Sequence, residues 1–343
     1  MRNRKKVLSV VLAGILAVLM AGCSTEAEKA AEVPEAENQQ EAEVTPQEET
    51  VGNGDKLVIA FSQTDNVGGF KIAETESIRE SVTAEGWELL FTDAQASTEK
   101  QVSDIEDLIS QKPDYLVIAP REAEGLSTAL EAAKAAGIPV ILVDRLANGE
   151  AGVDYVTCLQ SDCVWEGEAA AKWLAEATEG KANIVVLEGT PGATSGIDRR
   201  EGFQKVLEDY PDMKIIASQT ANFMRAEAQK VFENILQAHG DEITAVYADN
   251  DDMTLGAIQS AKAAGLKPGE DIIFIGVDGT KEAVEAIKTG EIGCIVECNA
   301  HFGPGVVDVI KKLENGESVP TEIISDDMVF DITNIDTALE RAF

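Results

Sequence analysis

The chain has few basic residues, few aromatics and only two histidines. Lys and Arg total 28 against 62 Asp and Glu, which leaves a formal net charge of −34. Nucleic-acid binding and electrostatic attachment to anionic lipid both need basic patches, so the charge argues against each. Neither histidine has an evident nucleophile partner, and no GxSxG or HExxH motif occurs. We therefore expect a protein that is not an enzyme and that uses no cofactor and no metal.

Long apolar runs are also missing. Val7–Leu19 is apolar, but a membrane-spanning helix needs about 20 residues. It follows the basic residues Arg2, Arg4, Lys5 and Lys6 and leads into Leu19-Met20-Ala21-Gly22-Cys23, which has the pattern of a bacterial lipobox. We predict a signal peptide over residues 1–22 and lipid attachment at Cys23. The protein would then sit on the extracytoplasmic face of the cell membrane, held there only by its N-terminal lipid.

Residues 23–54 are predicted to be a disordered acidic tether behind that lipid. The part after Cys23 contains nine Glu, one Lys and no aromatic, Ile or Leu residue. Such a stretch cannot bury enough apolar surface to repay its ordering entropy. Four cysteines remain in the body, Cys158, Cys163, Cys294 and Cys298, and their spacing resembles no zinc site. They are either free buried thiols or, in an exported protein, disulfide-bonded.

From Lys56 onward the pattern predicts strands that alternate with helices. Two successive sets of short, β-branched strands indicate two similar α/β lobes, each a doubly wound parallel sheet covered on both faces. The predicted strands are Leu57–Phe61, Glu88–Thr92, Tyr115–Ala119, Val140–Val143 and an edge strand Val153–Leu159, then Asn183–Glu188, Lys214–Ser218, Ala245–Ala248, Ile272–Val277 and Cys294–Glu297.

Such sheets bind ligands at the carboxyl ends of their strands. Carboxylates, amides, arginines and phenylalanines gather there: Phe70 and Lys71 after the first strand, then Asp144, Arg145, Arg199, Phe223, Asn250, Asp278 and Glu297. Asp and Glu accept hydrogen bonds, Arg donates in a rigid fork, and a Phe ring covers the C–H face of a small ring. This set fits a monosaccharide better than an amino acid. We interpret Asp249 and Asp252 as helix caps.

The body resembles the type I periplasmic binding proteins for sugars over essentially all of residues 56–343, and most closely the galactofuranose-binding subgroup. The motifs that carry the resemblance are FSQ at 61–63, VDR at 143–145, EGTPGATSGIDRREGF at 188–203, SQTANF at 218–223, YADNDDMTLGAIQSAKAAGLKPG at 247–269 and VDGT at 277–280. Phe70-Lys71 departs from the Trp-Arg pair of the subgroup, and Asp249 stands where the subgroup has His. Lys lacks the bidentate fork of Arg, which leaves the exact sugar open.

The resemblance implies that the ligand is a monosaccharide, with galactofuranose first and ribose, fructose, arabinose and galactose as alternatives. It implies sugar contacts from Asp144, Arg145, Arg199, Phe223, Asn250, Asp278 and Glu297, with Ser62, Phe70 and Lys71 along the first-lobe wall. It also implies a three-segment hinge, with an N-terminal lobe of residues 55–161 plus 298–326 and a C-terminal lobe of 162–297 plus 327–343. The hinge crossings would bring Cys163 and Cys298 together, so a disulfide between them is conceivable.

The implied function is capture of the sugar by lobe closure and its delivery to an ABC permease with its ATPase subunit. The resemblance also implies that the protein acts as a monomer. The alternative is a sensory protein that presents a sugar or an autoinducer to a receptor, since sensing would use the same closed form. A glycosidase that uses the paired acids would not fit the resemblance. A repressor built on this body would need a DNA-binding N-terminal domain and would carry no signal peptide.

Overall fold

Twelve strands and ten α-helices form residues 56–343, the part of the chain that this computed structural model describes. The predicted signal peptide, lipid-attachment Cys23 and tether lie outside these residues. Among residues 56–343, no helix combines the length and apolar character needed to cross a bilayer. The strands are β1 (Val58–Gln63), β2 (Glu88–Asp93), β3 (Tyr115–Ile118), β4 (Val140–Val143), β5 (Thr157–Gln160), β6 (Lys181–Glu188), β7 (Asp212–Thr220), β8 (Ala245–Ala248), β9 (Ile273–Asp278), β10 (Cys294–Glu297), β11 (Glu322–Ile324) and β12 (Val329–Asp331).

The helices follow the strands in regular alternation. They are α1 (Gly69–Ala84), α2 (Thr98–Ser110), α3 (Ser127–Ala136), α4 (Cys163–Ala177), α5 (Thr194–Leu207), α6 (Arg225–His239), α7 (Asp251–Ala263), α8 (Lys281–Lys288), α9 (Gly303–Glu314) and α10 (Ile335–Arg341), with 3₁₀ turns at Gly240–Glu242 and Ile332–Asn334. Most strands are followed by a crossover helix, which lets neighbouring strands lie parallel, whereas β4 runs into β5 and β11 into β12 with no helix between them.

The strands form two six-stranded sheets of the same design. Their orders are β11-β5-β4-β3-β1-β2 and β12-β10-β9-β8-β6-β7, and every pair is parallel except β10 with β12. The central strands β3, β4, β8 and β10 are buried at every residue, as expected for sheets covered by helices on both faces. The predicted α/β architecture of two doubly wound sheets is confirmed.

The strand predictions miss at the sheet edges. The predicted edge strand Val153–Leu159 is shorter, because residues 151–155 form a turn that Gly152 enters with φ 78°. It is also not at the edge, since β11 pairs with it from outside. The three-residue strands β11 and β12 are too short to show a periodic pattern.

The chain passes between the sheets three times, after β5, after β10 and between β11 and β12. These passages lie near the predicted hinge positions, and the lobe boundaries at 161/162, 297/298 and 326/327 stay a prediction. The conceivable Cys163–Cys298 disulfide is not formed in the structure, where Cys158, Cys163, Cys294 and Cys298 are free and buried. Burial raises the pKa of both Cys163 and Cys298, which keeps these thiols protonated.

Candidate functional site

A cavity of about 660 Å³ lies between the carboxyl ends of the two sheets. The loops after β1, β2, β3 and β4 line it from one side and those after β6, β7, β8 and β9 from the other. Eight of the ten residues predicted from the sequence are on its wall: Phe70, Lys71, Asp144, Arg145, Arg199, Phe223, Asn250 and Asp278. The strand-end rule therefore brings residues from 70 to 278 into one site.

Ser62 and Glu297 do not line the cavity. Ser62 is fully buried inside β1, within the sheet. Glu297 ends β10, but its carboxylate accepts hydrogen bonds from Arg341 Nε at 2.8 and 3.0 Å and from the Met328 amide at 3.1 Å. These contacts turn it toward the last hinge passage and away from the cavity wall, contrary to its predicted place in the site.

On the first-sheet side, a buried cluster of charges surrounds Asp144. Lys71 Nζ donates to Asp144 Oδ2 at 2.6 Å and to Glu74 Oε2 at 2.8 Å, and Arg145 Nε lies 3.0 Å from the same Asp144 oxygen. Burial alone would raise the pKa of Asp144, but Lys71 and Arg145 hold it below its ordinary value. Burial alone would lower the pKa of Lys71, and its two carboxylate partners raise it instead. Asp144 and Lys71 therefore both stay charged, an acceptor and a donor at the cavity wall.

On the second-sheet side, Arg199 is held in place from three directions. Its Nε donates to Glu166 Oε2 at 2.6 Å, its Nη1 donates to the Asp249 carbonyl at 2.5 Å, and its Nη2 lies 3.8 Å from Asp278 Oδ1. Burial opposes the charged form of Arg199, but Glu166, Asp278 and the thiols of Cys298 and Cys163 together outweigh it and raise the pKa. Helix α4 reaches α5 this closely because Gly167 has no side chain, since a Cβ there would overlap the Arg199 carbonyl. The guanidinium is fixed before any ligand arrives.

Asp278 stands on a turn in a rare backbone conformation. Its φ is 117°, and Gly279 follows with φ 121°. The Asp251 carboxylate holds this turn by accepting from the Gly279 amide at 3.0 Å and from the Thr280 amide and hydroxyl at 2.7 and 2.8 Å. Burial raises the pKa of Asp278, and Arg199 opposes that rise. A strained acid next to a fixed guanidinium is typical of a binding site rather than of a structural core.

Aromatic rings close two sides of the cavity. The Arg145 guanidinium lies over the Phe223 ring, 4.9 Å from its centroid. Phe223 adopts φ 61° and its neighbour Asn222 φ 55°, both unusual for residues other than glycine. Phe70 packs edge-on against Phe343, with the ring centroids 6.1 Å apart. The Phe223 ring thus offers an apolar face between hydrogen-bonding groups.

The helix cap predicted at Asp249 or Asp252 is formed by Asn250 instead. Its Oδ1 accepts from the Met253 amide at 3.0 Å, while its Nδ2 donates to the Phe223 carbonyl at 3.3 Å. Asp249 accepts from the Gly189 amide at 2.8 Å, and burial raises its pKa to about 7. Asp252 accepts from the Gly69 amide at 3.2 Å, across the cleft.

The sequence did not predict the roles of three residues at the site: Glu166, Asp251 and Asp252. Glu166 and Asp251 position other wall residues, and Asp252 joins the two sides of the cavity. Asp251 and Asp252 stand in the strand-end run Asp249-Asn250-Asp251-Asp252, where the sequence does not tell which side chain takes which role. Glu166 lies inside α4, and no local pattern marks it.

The two sides of the cavity touch directly around its rim. Besides the Gly69–Asp252 contact, the Ala123 amide donates to the Gly192 carbonyl at 2.9 Å and the Leu146 amide to Thr194 Oγ1 at 3.1 Å. Each bond joins a loop or helix start that follows a strand of the first sheet to one that follows a strand of the second. The structure therefore shows the closed arrangement, with the cavity between the lobes and its mouth open to solvent.

Two matching α/β lobes, joined by three chain passages and closed over a polar cavity, define a two-lobed solute-binding protein. The comparisons with known proteins agree. The periplasmic binding protein domain family matches residues 59–318. The chain belongs to this family.

Two named relatives and one solved structure illustrate the similarity. The galactofuranose-binding protein of Escherichia coli (strain K12) is 35% identical over 270 residues, 78% of this chain and 85% of that protein. The ribose import binding protein of Bacillus subtilis (strain 168) is 36% identical over 245 residues, 71% of this chain and 77% of that protein. A crystal structure from Mycobacterium smegmatis in complex with β-D-fucofuranose superposes with a TM-score of 0.80 at 39% identity, covering 83% of this chain and 94% of that one.

Proposed function

We propose that this protein is the extracytoplasmic solute-binding component of an ABC importer and that it captures a monosaccharide in its furanose form. One observation carries the proposal. The Asp144–Arg145 pair from one lobe and Arg199, Asn250 and Asp278 from the other face a single closed cavity. A sugar with hydroxyls around its ring can bridge both sets only when the lobes are shut.

The chemistry of the wall supports a neutral polyol rather than a charged ligand. Each fixed cation is matched by a carboxylate: Lys71 by Asp144 and Glu74, and Arg199 by Glu166. No uncompensated charge is therefore left on these groups to demand an ionic partner. Charged donors and acceptors hydrogen-bond strongly to hydroxyls. The Phe223 ring face supplies the apolar surface that the C–H side of a furanose needs.

The particular sugar is the finer part of the proposal. Galactofuranose comes first, because a named galactofuranose-binding protein is among the relatives, with ribose, fructose, arabinose and galactose as alternatives. Lys71 is committed to two carboxylates and presents a point charge where the galactofuranose-binding subgroup has an arginine fork. We expect this position to tune the choice among furanoses.

The test is a thermal-shift and calorimetric screen of the purified mature protein, refolded to remove carried-over ligand. The panel holds D-galactose, L-arabinose, D-ribose and D-fructose, all of which form furanose rings in solution. A ligand at 100 times its Kd stabilises the native state by about 2.7 kcal/mol, which is a shift in Tm of about 5 °C or more. No shift with any of them, nor with methyl β-D-galactofuranoside, would refute the proposal.

Site variants link such a shift to the cavity. Asp144→Asn keeps the shape of the side chain and removes the charge that holds Lys71 and Arg145, so binding is expected to fall at least tenfold. Asp308→Asn is the matched control, because Asp308 is an exposed partner of Lys312 on α9. Equal affinity of the two variants would place the ligand elsewhere.

The transport role and the lipid anchor need cellular tests. Deleting the partner permease should abolish uptake of the sugar, whereas a purely sensory protein would leave uptake unchanged. Cys23→Ser should release the protein from the membrane fraction if Cys23 carries the lipid.

A further inference from the structure

The cavity is larger than one sugar ring requires. A hexose at the packing density of a protein interior needs roughly 200 Å³, against about 660 Å³ here. The extra room does not come from separated lobes, because the two lobes already touch through Gly69–Asp252 and Leu146–Thr194. Pockets of about 300–1,000 Å³ suit ligands of drug size rather than a single small ring.

The unused room lies at the end of the cavity away from the hinge. The chain passes between the lobes beside β5, β10, β11 and β12, whereas β2 and β7 form the opposite edges of their sheets. Residues of the loops that follow β2 and β7 nevertheless line the cavity, among them Gln95 and Met224. Asp144, Arg199 and Asp278 of the monosaccharide wall stand at or beyond the ends of the inner strands β4, β6 and β9, and Phe223 is the wall residue that the β7 loop contributes. The cavity thus extends outward past that wall.

The side chains at this outer end of the cavity are suited to bind a second ring. We define the outer subsite as Val67, Gln95, Arg121, Asn222 and Met224, all on the cavity wall. Val67 is 64% exposed and Met224 39%, so two apolar side chains are left uncovered inside a polar site. Gln95, Arg121 and Asn222 line the same cavity with hydrogen-bonding groups, of which Arg121 also donates to Glu122 and Asn222 to Glu227. An apolar surface rimmed by amide and guanidinium groups matches a ring with C–H faces and polar edges.

Backbone strain marks the same two loops. Gln95 and Ala96 adopt φ 52° and 57°, and Asn222 adopts φ 55°, in the left-handed region that residues other than glycine rarely occupy. Such conformations persist only where the surroundings impose them, and they concentrate at ligand sites. The strained residues of the two loops lie at the outer end, one loop on each side of the cavity.

We propose that the outer subsite holds a ring-sized group joined to the bound furanose by a glycosidic bond. This inference rests on the proposed function and narrows its ligand class to furanosides, either a disaccharide or a furanose with a ring-shaped aglycone. The furanose occupies the inner wall, and the second ring lies between Val67 and Met224 at the mouth.

The test compares each sugar with its own glycosides by titration calorimetry on the purified mature protein. The probes are L-arabinose, α-1,5-L-arabinobiose and 4-nitrophenyl α-L-arabinofuranoside, and D-galactose with 4-nitrophenyl β-D-galactofuranoside. At least one glycoside is expected to bind about tenfold or more tightly than the free sugar. The arabinobiose and nitrophenyl arms separate a second sugar from an aromatic aglycone.

A matched pair of variants assigns the gain to the outer subsite. Met224→Ala should cut the preference for the glycoside at least threefold and leave free-sugar affinity within twofold. Met328→Ala is the control, since Met328 is 37% exposed and lies outside the cavity. The ratio of the two affinities cancels any common effect on lobe closure.

The outcomes separate the two proposals. If free sugars bind and no glycoside binds more tightly than its free sugar, the outer subsite is refuted and the monosaccharide proposal stands. An unchanged glycoside preference in Met224→Ala also refutes the subsite. Loss of binding to free sugars and glycosides alike overturns both proposals.

Discussion

Gly189→Ala should weaken sugar binding indirectly, by displacing the ring of Phe223. Gly189 follows β6, and its amide donates to Asp249 Oδ2 at 2.8 Å, a bond that alanine can keep. A Cβ at this position would overlap the tip of the Phe223 ring, whose Cζ, Cε1 and Cε2 are the nearest atoms. The substitution therefore acts as a wedge under the ring.

The size of the effect follows from the geometry. The ring would have to move by about 1.5 Å to reach an ordinary carbon–carbon separation of about 3.5 Å. It would then leave its place beneath the Arg145 guanidinium, 4.9 Å from the ring centroid. Cation–π pairs contribute about 0.5–2 kcal/mol and overpacking costs about 1–3 kcal/mol. We expect sugar affinity about tenfold lower and unfolding free energy lower by about 1–3 kcal/mol.

The assay combines calorimetry of sugar binding with urea unfolding. Adding Phe223→Leu to Gly189→Ala makes room for the new methyl group, so stability should recover while affinity stays low. Phe223→Leu alone gives the reference for a site that has lost its ring. If Gly189→Ala keeps both wild-type affinity and wild-type stability, the placement of the Phe223 ring over the sugar is wrong.

Three further predictions concern charge and closure. Burial raises the pKa of Asp249 to about 7, above its unfolded value of about 3.9, so its contribution to stability is complete below pH about 4 and is lost as the pH rises through 7. Asp249→Asn should flatten the fall in stability between pH 5 and 8 by at least about 1 kcal/mol in urea unfolding. Arg199→Met leaves the buried Glu166 carboxylate unpaired, so the free energy of unfolding should fall by about 3–5 kcal/mol and sugar binding should be lost. Urea unfolding and calorimetry measure the two effects. Asp252→Ala removes the acceptor of the Gly69 amide across the cleft, so the sugar-saturated protein should close less completely, seen as a larger radius of gyration by X-ray scattering.

Each of these has a control and an outcome that would contradict it. The pH slope of Asp249→Asn is compared with that of the wild type, and an equal slope would mean that Asp249 does not titrate near 7. Arg200→Met, next in sequence and partly exposed beside Glu188, should cost less than about 1 kcal/mol. An equal loss of unfolding free energy in Arg199→Met and Arg200→Met would contradict the view that Arg199 stabilises the protein by pairing with buried Glu166. A radius unchanged by Asp252→Ala would show that this contact does not hold the lobes shut.

The strand order along the chain and the edge at which ligands bind were predictable from local pattern. Short β-branched runs alternate with amphipathic helices, and right-handed crossovers bring the carboxyl ends of parallel strands to one edge. For that reason the sequence alone assigns Phe70, Asp144, Arg199 and Asp278, which are distant along the chain, to one site. The strands β11 and β12 were missed because three residues show no period.

The division of roles among neighbouring acids depended on tertiary structure. Asn250, Asp251 and Asp252 are adjacent, yet one caps α7, one anchors the Asp278 turn, and one joins the two lobes. Side chains in a helical first turn point in different directions, so each meets a different partner. Glu297 obeys the strand-end rule but turns away to Arg341, a residue 44 positions later.

The sequence by itself therefore determined the fold class, the ligand edge and most of its wall, because these follow from periodicity and chain topology. Only the tertiary structure decided which carboxylates are free for a ligand, since each is claimed or released by a partner distant in sequence. It alone also showed the size of the cavity and its uncovered outer end, because volume is a property of two lobes packed against each other.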